Sequence, residues 1–180
     1  MDNRQELKEL LDTLSFERRP VVLSSGKTSN YYFDGRKVSL HAKGAYLIAQ
    51  IICDMIENEN VDAVGGLTMG ADPIVGALGP EAYRRGLDLS LFIVRKEAKQ
   101  HGTKQQIEGP PLKSGRRVVI VDDVLTTGGS IIQAVQAVRE IGCEVVKAIV
   151  LVDRLEGGSQ ALEEINVRVE SVFTAADFGL

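Results

Sequence analysis

Two cysteines, Cys53 and Cys143, are all that 180 residues contain. A disulfide framework or a structural zinc site needs more ligands than this. Both stand inside apolar segments, so the expectation is buried free thiols in a reducing cytoplasm. Long hydrophobic runs are missing as well: none approaches the ~20 residues that would span a bilayer. The opening residues Met1-Asp2-Asn3-Arg4-Gln5-Glu6-Leu7 lack the basic stretch followed by an apolar run that marks a secretory signal. Positive charge is not in excess, since the formal net charge is −4, which argues against non-specific nucleic-acid binding as the main task. No repeat recurs at a fixed period, and no segment is of low complexity. These absences predict a cytoplasmic protein that partners neither nucleic acid nor membrane.

What is present reads as a globular chain. Apolar residues make up 44% and charged residues 26%, close to the average for folded domains. One domain of this length buries roughly 70% of its unfolded surface. Apolar runs alternate with helical patterns, which predicts βαβ units and a parallel sheet, an α/β fold. Leu7, Leu10, Leu11 and Leu14 recur at helical spacing in residues 3–14. Short strands are expected at 21–23 and 31–33 around a polar turn, and a helix at 43–57. A strand at 63–66 then runs into the glycine-rich turn 67–70. The next helix is expected to start at Asp72 as cap and Pro73 as first helical residue. Further strands are expected at 89–94, 118–121, 145–152 and 167–173, with helices at 129–141, ended by Gly142, and at 159–165.

Residues 97–115 differ from the rest. They hold Lys99, Gln100, His101, Lys104, Gln105 and Gln106, then Gly109-Pro110-Pro111, and almost no apolar residue except Ile107. A stretch of this length without a core-facing pattern is usually disordered or a working loop. Its histidine and lysines favour a lid over an active site.

The strongest chemical signal is Val118-Val119-Ile120-Val121-Asp122-Asp123-Val124-Leu125-Thr126-Thr127-Gly128-Gly129-Ser130. A buried strand delivers two carboxylates at its C-terminal end, where open α/β sheets bind ligands. The hydroxyl residues and glycines that follow open a helix and present N–H groups to an anion. Carboxylates beside an anion cradle suit one ligand carrying sugar hydroxyls and a phosphate. The pair can accept bonds from ribose hydroxyls, or hold Mg²⁺ directly or through water. Two aspartates that merely capped the next helix would not explain the Thr-Thr-Gly-Gly-Ser run. No lysine follows the second glycine, so this is no Walker loop.

The segment 118–130 resembles the PRPP-binding signature of the type I phosphoribosyltransferases (PRPP is phosphoribosyl pyrophosphate). That resemblance implies a central parallel sheet flanked by helices, with a small hood formed by the N-terminal and C-terminal segments. The expected division is a single domain, 1–180, with the hood near 1–36 and 155–180, the core near 37–154 and a mobile loop near 97–115. The signature names the donor and is shared by purine enzymes, pyrimidine enzymes and some regulators. Arg95-Lys96-Glu97-Ala98-Lys99-Gln100-His101-Gly102 is similar to the loop signature of the orotate phosphoribosyltransferases. It implies that Arg95, Lys96, Lys99 and His101 meet the pyrophosphate, with Lys96 serving the neighbouring subunit of a homodimer. Positioned cations would stabilise the charge that accumulates on the leaving pyrophosphate, and Lys99 or His101 could donate a proton to it. A solvated basic loop is the plain alternative.

Two further segments fit. Ser25-Gly26-Lys27-Thr28-Ser29-Asn30-Tyr31-Tyr32-Phe33-Asp34 resembles the family's hood segment, where an aromatic ring can stack on a pyrimidine. Ordinary strand packing explains any one of these aromatics nearly as well. Val152-Asp153-Arg154 matches the family's Asp-Arg at a strand end, whose guanidinium suits the orotate carboxylate; a surface ion pair is the plain alternative. Many bacterial members carry Lys where this chain has Ser24, and Lys27 could supply part of that charge. The resemblance thus assigns Asp122, Asp123, Val124, Leu125, Thr126, Thr127, Gly128, Gly129 and Ser130 to PRPP, and Asp122 and Asp123 to Mg²⁺. Lys99, His101, Asp122 and Asp123 become the catalytic set, and Thr126, Arg154, Lys27, Tyr32 and Phe33 the orotate contacts. The turn 65–72 is a plausible pyrophosphate loop, less diagnostic in sequence. A purine-specific enzyme and a PRPP-sensing regulator without catalysis are the competing readings.

Overall fold

The computed structural model describes residues 2–22, 28–97 and 106–180. Its centre is a six-stranded sheet built from β5 (Ala63–Leu67), β6 (Ser90–Val94), β7 (Ile107–Glu108), β8 (Arg117–Leu125), β9 (Glu144–Asp153) and β10 (Val169–Thr174), in the order β10-β9-β8-β5-β6-β7. All neighbouring strands run parallel except β7, which pairs antiparallel with β6. The continuous apolar strands follow from burial on both faces. On one face Val119 and Val121 pack with α1 (Asn3–Leu14), α3 (Ala42–Ile56) and α4 (Ala71–Arg84). On the other, Val118 and Ile120 pack with α5 (Gly129–Glu140) and α6 (Gly158–Glu163). The predicted helical stripe of α1 is real: Leu7 and Leu11 are fully buried, each contributing about 1.5–3 kcal/mol.

Strand order decides where a ligand can enter. From β5 the chain passes through α4 to β6 on one side; from β8 it passes through α5 to β9 on the other. The connections diverge between β5 and β8, so a crevice opens beyond the C-terminal ends of these two strands.

Near the chain ends, β1 (Phe16–Glu17) pairs antiparallel with β4 (Tyr32–Phe33), and β2 (Val21–Val22) with β3 (Thr28–Ser29). The aromatic strand therefore pairs with Phe16 and Glu17, while Val21–Val22 pairs with Thr28–Ser29, inside what the sequence reads as a polar turn. Aromatic packing explains the choice. The Phe16 ring lies 4.8 Å from Phe33 and 4.5 Å from Phe178 of the C-terminal 3₁₀ helix Ala175–Phe178. A short helix absent from the sequence reading, α2 (Arg36–Ser39), follows β4.

Three other expectations shift. Helix α4 begins at Ala71 with Gly70 as cap, two residues before the predicted start. Thr68 Oγ1 donates to Asp72 Oδ2 at 2.7 Å, so that carboxylate serves the preceding loop, and Pro73 is tolerated because first-turn N–H groups lack helical partners anyway. The stretch 97–115 is not one loop: Ile107–Glu108 is bound to the sheet edge, and Arg95 N–H donates to Gln106 O at 2.8 Å. Strand β8 also runs on to Leu125, so the two aspartates lie inside it. Cys53 and Cys143 are buried and unbridged, and burial pushes the Cys53 thiol up to about 11. No helix among the described residues is long and apolar enough to cross a membrane.

Candidate active site

The crevice between β5 and β8 is a cleft of about 310 Å³. Asp122, Asp123, Val124, Thr126 and Ser130 form one wall, and Leu67, Thr68, Met69 and Gly70 another. Phe33, Asp34 and Arg36 enter from the β4–α2 turn, and Lys96 from the end of β6. Segments from Phe33 to Ser130 thus share one space.

The aspartates are the most buried charges in it, Asp122 being 5% and Asp123 7% exposed. The Asp123 N–H donates to Asp122 Oδ1 at 2.9 Å, which fixes the orientation of the first carboxylate. Burial, and then the charge of Asp123, push Asp122 well above the ordinary carboxylate range. Burial raises Asp123 too, against the hydrogen bond with Asp122 and the Arg36 guanidinium. A pair in this condition favours company that restores its charge: hydroxyl donors or a cation.

Beyond the pair the strand gives way to the cradle. A small hollow of about 20 Å³ is lined by Thr126, Gly128, Gly129, Ser130 and Ile131 with Asp122, Val124 and Leu125. Gly128, at φ +87°, turns the chain into α5, a left-handed conformation that costs glycine little. The first N–H groups of α5 have no partner within the helix, and its dipole favours an anion there. Leu125 contributes backbone alone, because its side chain is buried in the core. Thr127 is exposed and lines neither cavity.

The cations divide. Lys96 lines the main cleft of its own chain, and its carbonyl accepts a 2.7 Å bond from Gln133 Nε2. Arg95 stands outside, in a neighbouring hollow of about 460 Å³ with Thr68, Ile93, Lys96, Glu97 and Glu108, and approaches Glu108 Oε1 at 3.4 Å. Lys96 thus borders both hollows, and Arg95 only the second. Lys27, Lys99 and His101 lie outside the described residues.

Of the expected base contacts, Phe33 and Thr126 line the cleft, and Tyr32 and Arg154 do not. The Arg154 side chain is 6% exposed and ion-paired to Glu156 at 2.9 Å. Its Nε donates to Tyr31 Oη at 3.1 Å, and the guanidinium carbon sits 4.6 Å from the Tyr31 ring centre. Sequence reasoning gave Asp34 no role of its own and missed Gly35 and Arg36. Their signal is weak, because nothing local to Asp-Gly-Arg announces a contact with a strand almost ninety residues later.

Comparison with known proteins accords with this geometry. The model of the phosphoribosyl transferase domain family matches residues 38–175. An orotate phosphoribosyltransferase from Corynebacterium glutamicum is 42% identical over 180 residues, covering 100% of this chain and 96% of that protein. One from Streptomyces coelicolor is 44% identical over 163 residues, with 91% and 89% covered. Among solved structures, the Mycobacterium tuberculosis orotate phosphoribosyltransferase in complex with PRPP superimposes with a TM-score of 0.83 at 38% identity, covering 99% of this chain and 100% of that one. Such identity across nearly full length, together with the shared fold, establishes that the chain belongs to the orotate phosphoribosyltransferase family.

Proposed function

We propose that the protein transfers the 5-phosphoribosyl group from PRPP to orotate, giving orotidine 5′-monophosphate and pyrophosphate, a step of pyrimidine biosynthesis. The observation that carries this reading is the union, in one cleft, of a buried aspartate pair with an anion cradle on one side and the Thr68–Gly70 turn and Lys96 on the other. A ligand with an anion at each end of a ribose fits that sequence of surfaces.

In the reaction, orotate N1 bonds to ribose C1 while the C1–oxygen bond breaks, its electron pair leaving with pyrophosphate, and the N1 proton passes to a pyrophosphate oxygen or to solvent. No protein nucleophile is required. Asp122 and Asp123 hold the ribose hydroxyls, and residues 124–130 take the 5′-phosphate through N–H and hydroxyl donors. Lys96 and the loop cations Lys99 and His101 neutralise the departing group, and the segment around them excludes water that would hydrolyse PRPP. Phe33 and Thr126 lie beside the base. Arg154 reads the orotate carboxylate once Glu156 yields.

The donor chemistry at Asp122 and Asp123 fits Mg²⁺. Two adjacent carboxylates are hard oxygen ligands, and this ion is commonly held by one or two carboxylates together with substrate phosphates. When bound, Mg²⁺ supplies neutralisation of pyrophosphate charge.

The working unit is a cytoplasmic homodimer whose subunits complete each other's sites, with segments 1–36 and 155–180 as the hood over each cleft. Lys96 acts within its own cleft, whose wall it lines, and Arg95 serves the neighbour's. The deciding assay follows orotate absorbance with PRPP and Mg²⁺, beside uracil, adenine and hypoxanthine. Consumption of orotate alone, abolished by EDTA, is the expected result. Consumption of a purine would overturn the acceptor assignment, and PRPP binding without turnover of any base would favour a sensor.

A further inference from the structure

Asp34 closes the hood segment without a role assigned to it there, and Arg36 belongs to no motif singled out in the sequence, yet both line the main cleft. The Arg36 guanidinium is gripped by Asp34 through two parallel bonds, Nε to Oδ1 at 2.9 Å and Nη2 to Oδ2 at 3.2 Å. Asp34 Oδ1 also accepts from the Arg36 backbone N–H at 3.1 Å. The Asp34 N–H in turn donates to Ser15 O at 3.0 Å, which ties the clamp to the chain segment leading into β1. Burial, the largest influence on the Asp34 carboxyl, raises it, but the Arg36 bonds and charge outweigh this and hold it below the usual range.

An exposed ion pair would contribute little and mean little. This one differs in its setting. The turn between the two residues sits flush on the catalytic strand: a Cβ on Gly35 would lie 2.8 Å from Asp123 Cβ and 2.9 Å from Asp123 Oδ2. The Arg36 side chain is 42% exposed, at the wall of the cleft. A guanidinium carries five N–H donors in a rigid fork. Asp34 occupies the edge formed by Nε and Nη2, and Nη1 makes no hydrogen bond to a described residue. The fork is therefore held in place with donor capacity left over, beside two carboxylates that would otherwise repel any anion approaching them. Planar forks of this kind suit carboxylate and phosphate oxygens.

We propose that Arg36, oriented by Asp34, binds an oxyanion of the reacting ligand next to Asp123, either a pyrophosphate oxygen of PRPP or the carboxylate of orotate. The proposal rests on the phosphoribosyl-transfer reading and adds a residue to it. Arg36 is a binding residue, and Asp34 is a positioning residue that acts through it.

The test is calorimetric titration of the intact chain and of Arg36→Gln, Arg36→Lys and Asp34→Asn with PRPP, with inorganic pyrophosphate and with orotate, each variant checked for its thermal midpoint. Loss of a charge-assisted bond should weaken one class of ligand by about tenfold or more in Arg36→Gln. Arg36→Lys should recover part of this, because it keeps the charge and loses the fork. Asp34→Asn should weaken the same ligand less. A loss confined to PRPP and pyrophosphate assigns the oxyanion to the phosphates; a loss confined to orotate assigns it to the carboxylate. Binding of all three within about twofold of the parent would overturn the proposal. So would an equal loss for every ligand, alike in Gln and Lys variants, with a lowered midpoint, since that marks a structural role. Tight PRPP binding by the parent without turnover of orotate would sink the transfer reading while leaving the Arg36 comparison intact.

Discussion

The Cα of Gly70 lies against the Asp122 carboxylate so closely that a Cβ there would fall 2.2 Å from Asp122 Oδ1, and 2.7 Å from Asp123 Oδ1. The turn after β5 and the strand-end acids are thus fitted to one another across the crevice. Asp122 Oδ1 is also the acceptor for the Asp123 N–H, so it cannot swing away without losing that bond.

Gly70→Ala is therefore expected to displace both carboxylates and lower kcat/KM by roughly 10²-fold, the scale at which small misplacements act. Gly76, six residues on in α4, has nothing within 4 Å of its virtual Cβ. Gly76→Ala should keep full activity and raise stability by about 0.5–1 kcal/mol, from helix propensity and a less flexible unfolded chain. Steady-state kinetics and denaturant titrations check the two together. Equal activity in both variants would contradict the fitted contact.

A second expectation concerns acid stability. Glu81 of α4 is ion-paired to Arg84 at 2.7 Å and to Arg85, and Arg85 also reaches Asp54 and Glu57 of the α3 side. Hydrogen bonding from Arg84 is the largest influence on Glu81; burial opposes it, Arg85 adds to it, and the carboxyl settles at about 2 from its ordinary 4.5. A folded value below the unfolded one gives stability that is present above the unfolded value and lost as pH falls through the folded one. Glu81→Gln should lower the thermal midpoint at neutral pH, and its gap from the parent should close between pH 4.5 and 2. A gap that stays constant over this range would show that the charge of Glu81 is not what matters.

Subunit sharing can be read by mixing inactive proteins. If Arg95 serves the neighbouring cleft, mixed dimers of Arg95→Ala and Asp123→Asn contain one intact site, and random exchange should restore about a quarter of the parent activity. Lys96→Ala mixed with Asp123→Asn should restore none, because Lys96 lines the same cleft as Asp123. Recovery in the second mixture and not in the first would return Lys96 to the role that the sequence resemblance gave it.

The segment 118–130 was legible because its chemistry is local. Alternating burial of Val118 to Val121 on two faces, the acids that follow and the glycine that bends the chain into α5 all act over a few residues. The helical stripe of Leu7 and Leu11 and the order of strands and helices were legible for the same reason, since period and turn residues are written in the neighbours. Pairing was not. Tyr32–Phe33 joined Phe16–Glu17 because an aromatic cluster with Phe178 closed around Phe16, a contact that local propensity does not encode. The same holds within the site: the sequence placed Arg95 and Lys96 together as cations, and only the tertiary structure brings Lys96, and not Arg95, to the wall of the main cleft. Gly35, Gly70 and Asp123 are far apart along the chain and within touching distance in space. The residue types were set by sequence; their meeting was decided by packing, which brings the ends of β5 and β8 together at the point where the sheet's connections diverge.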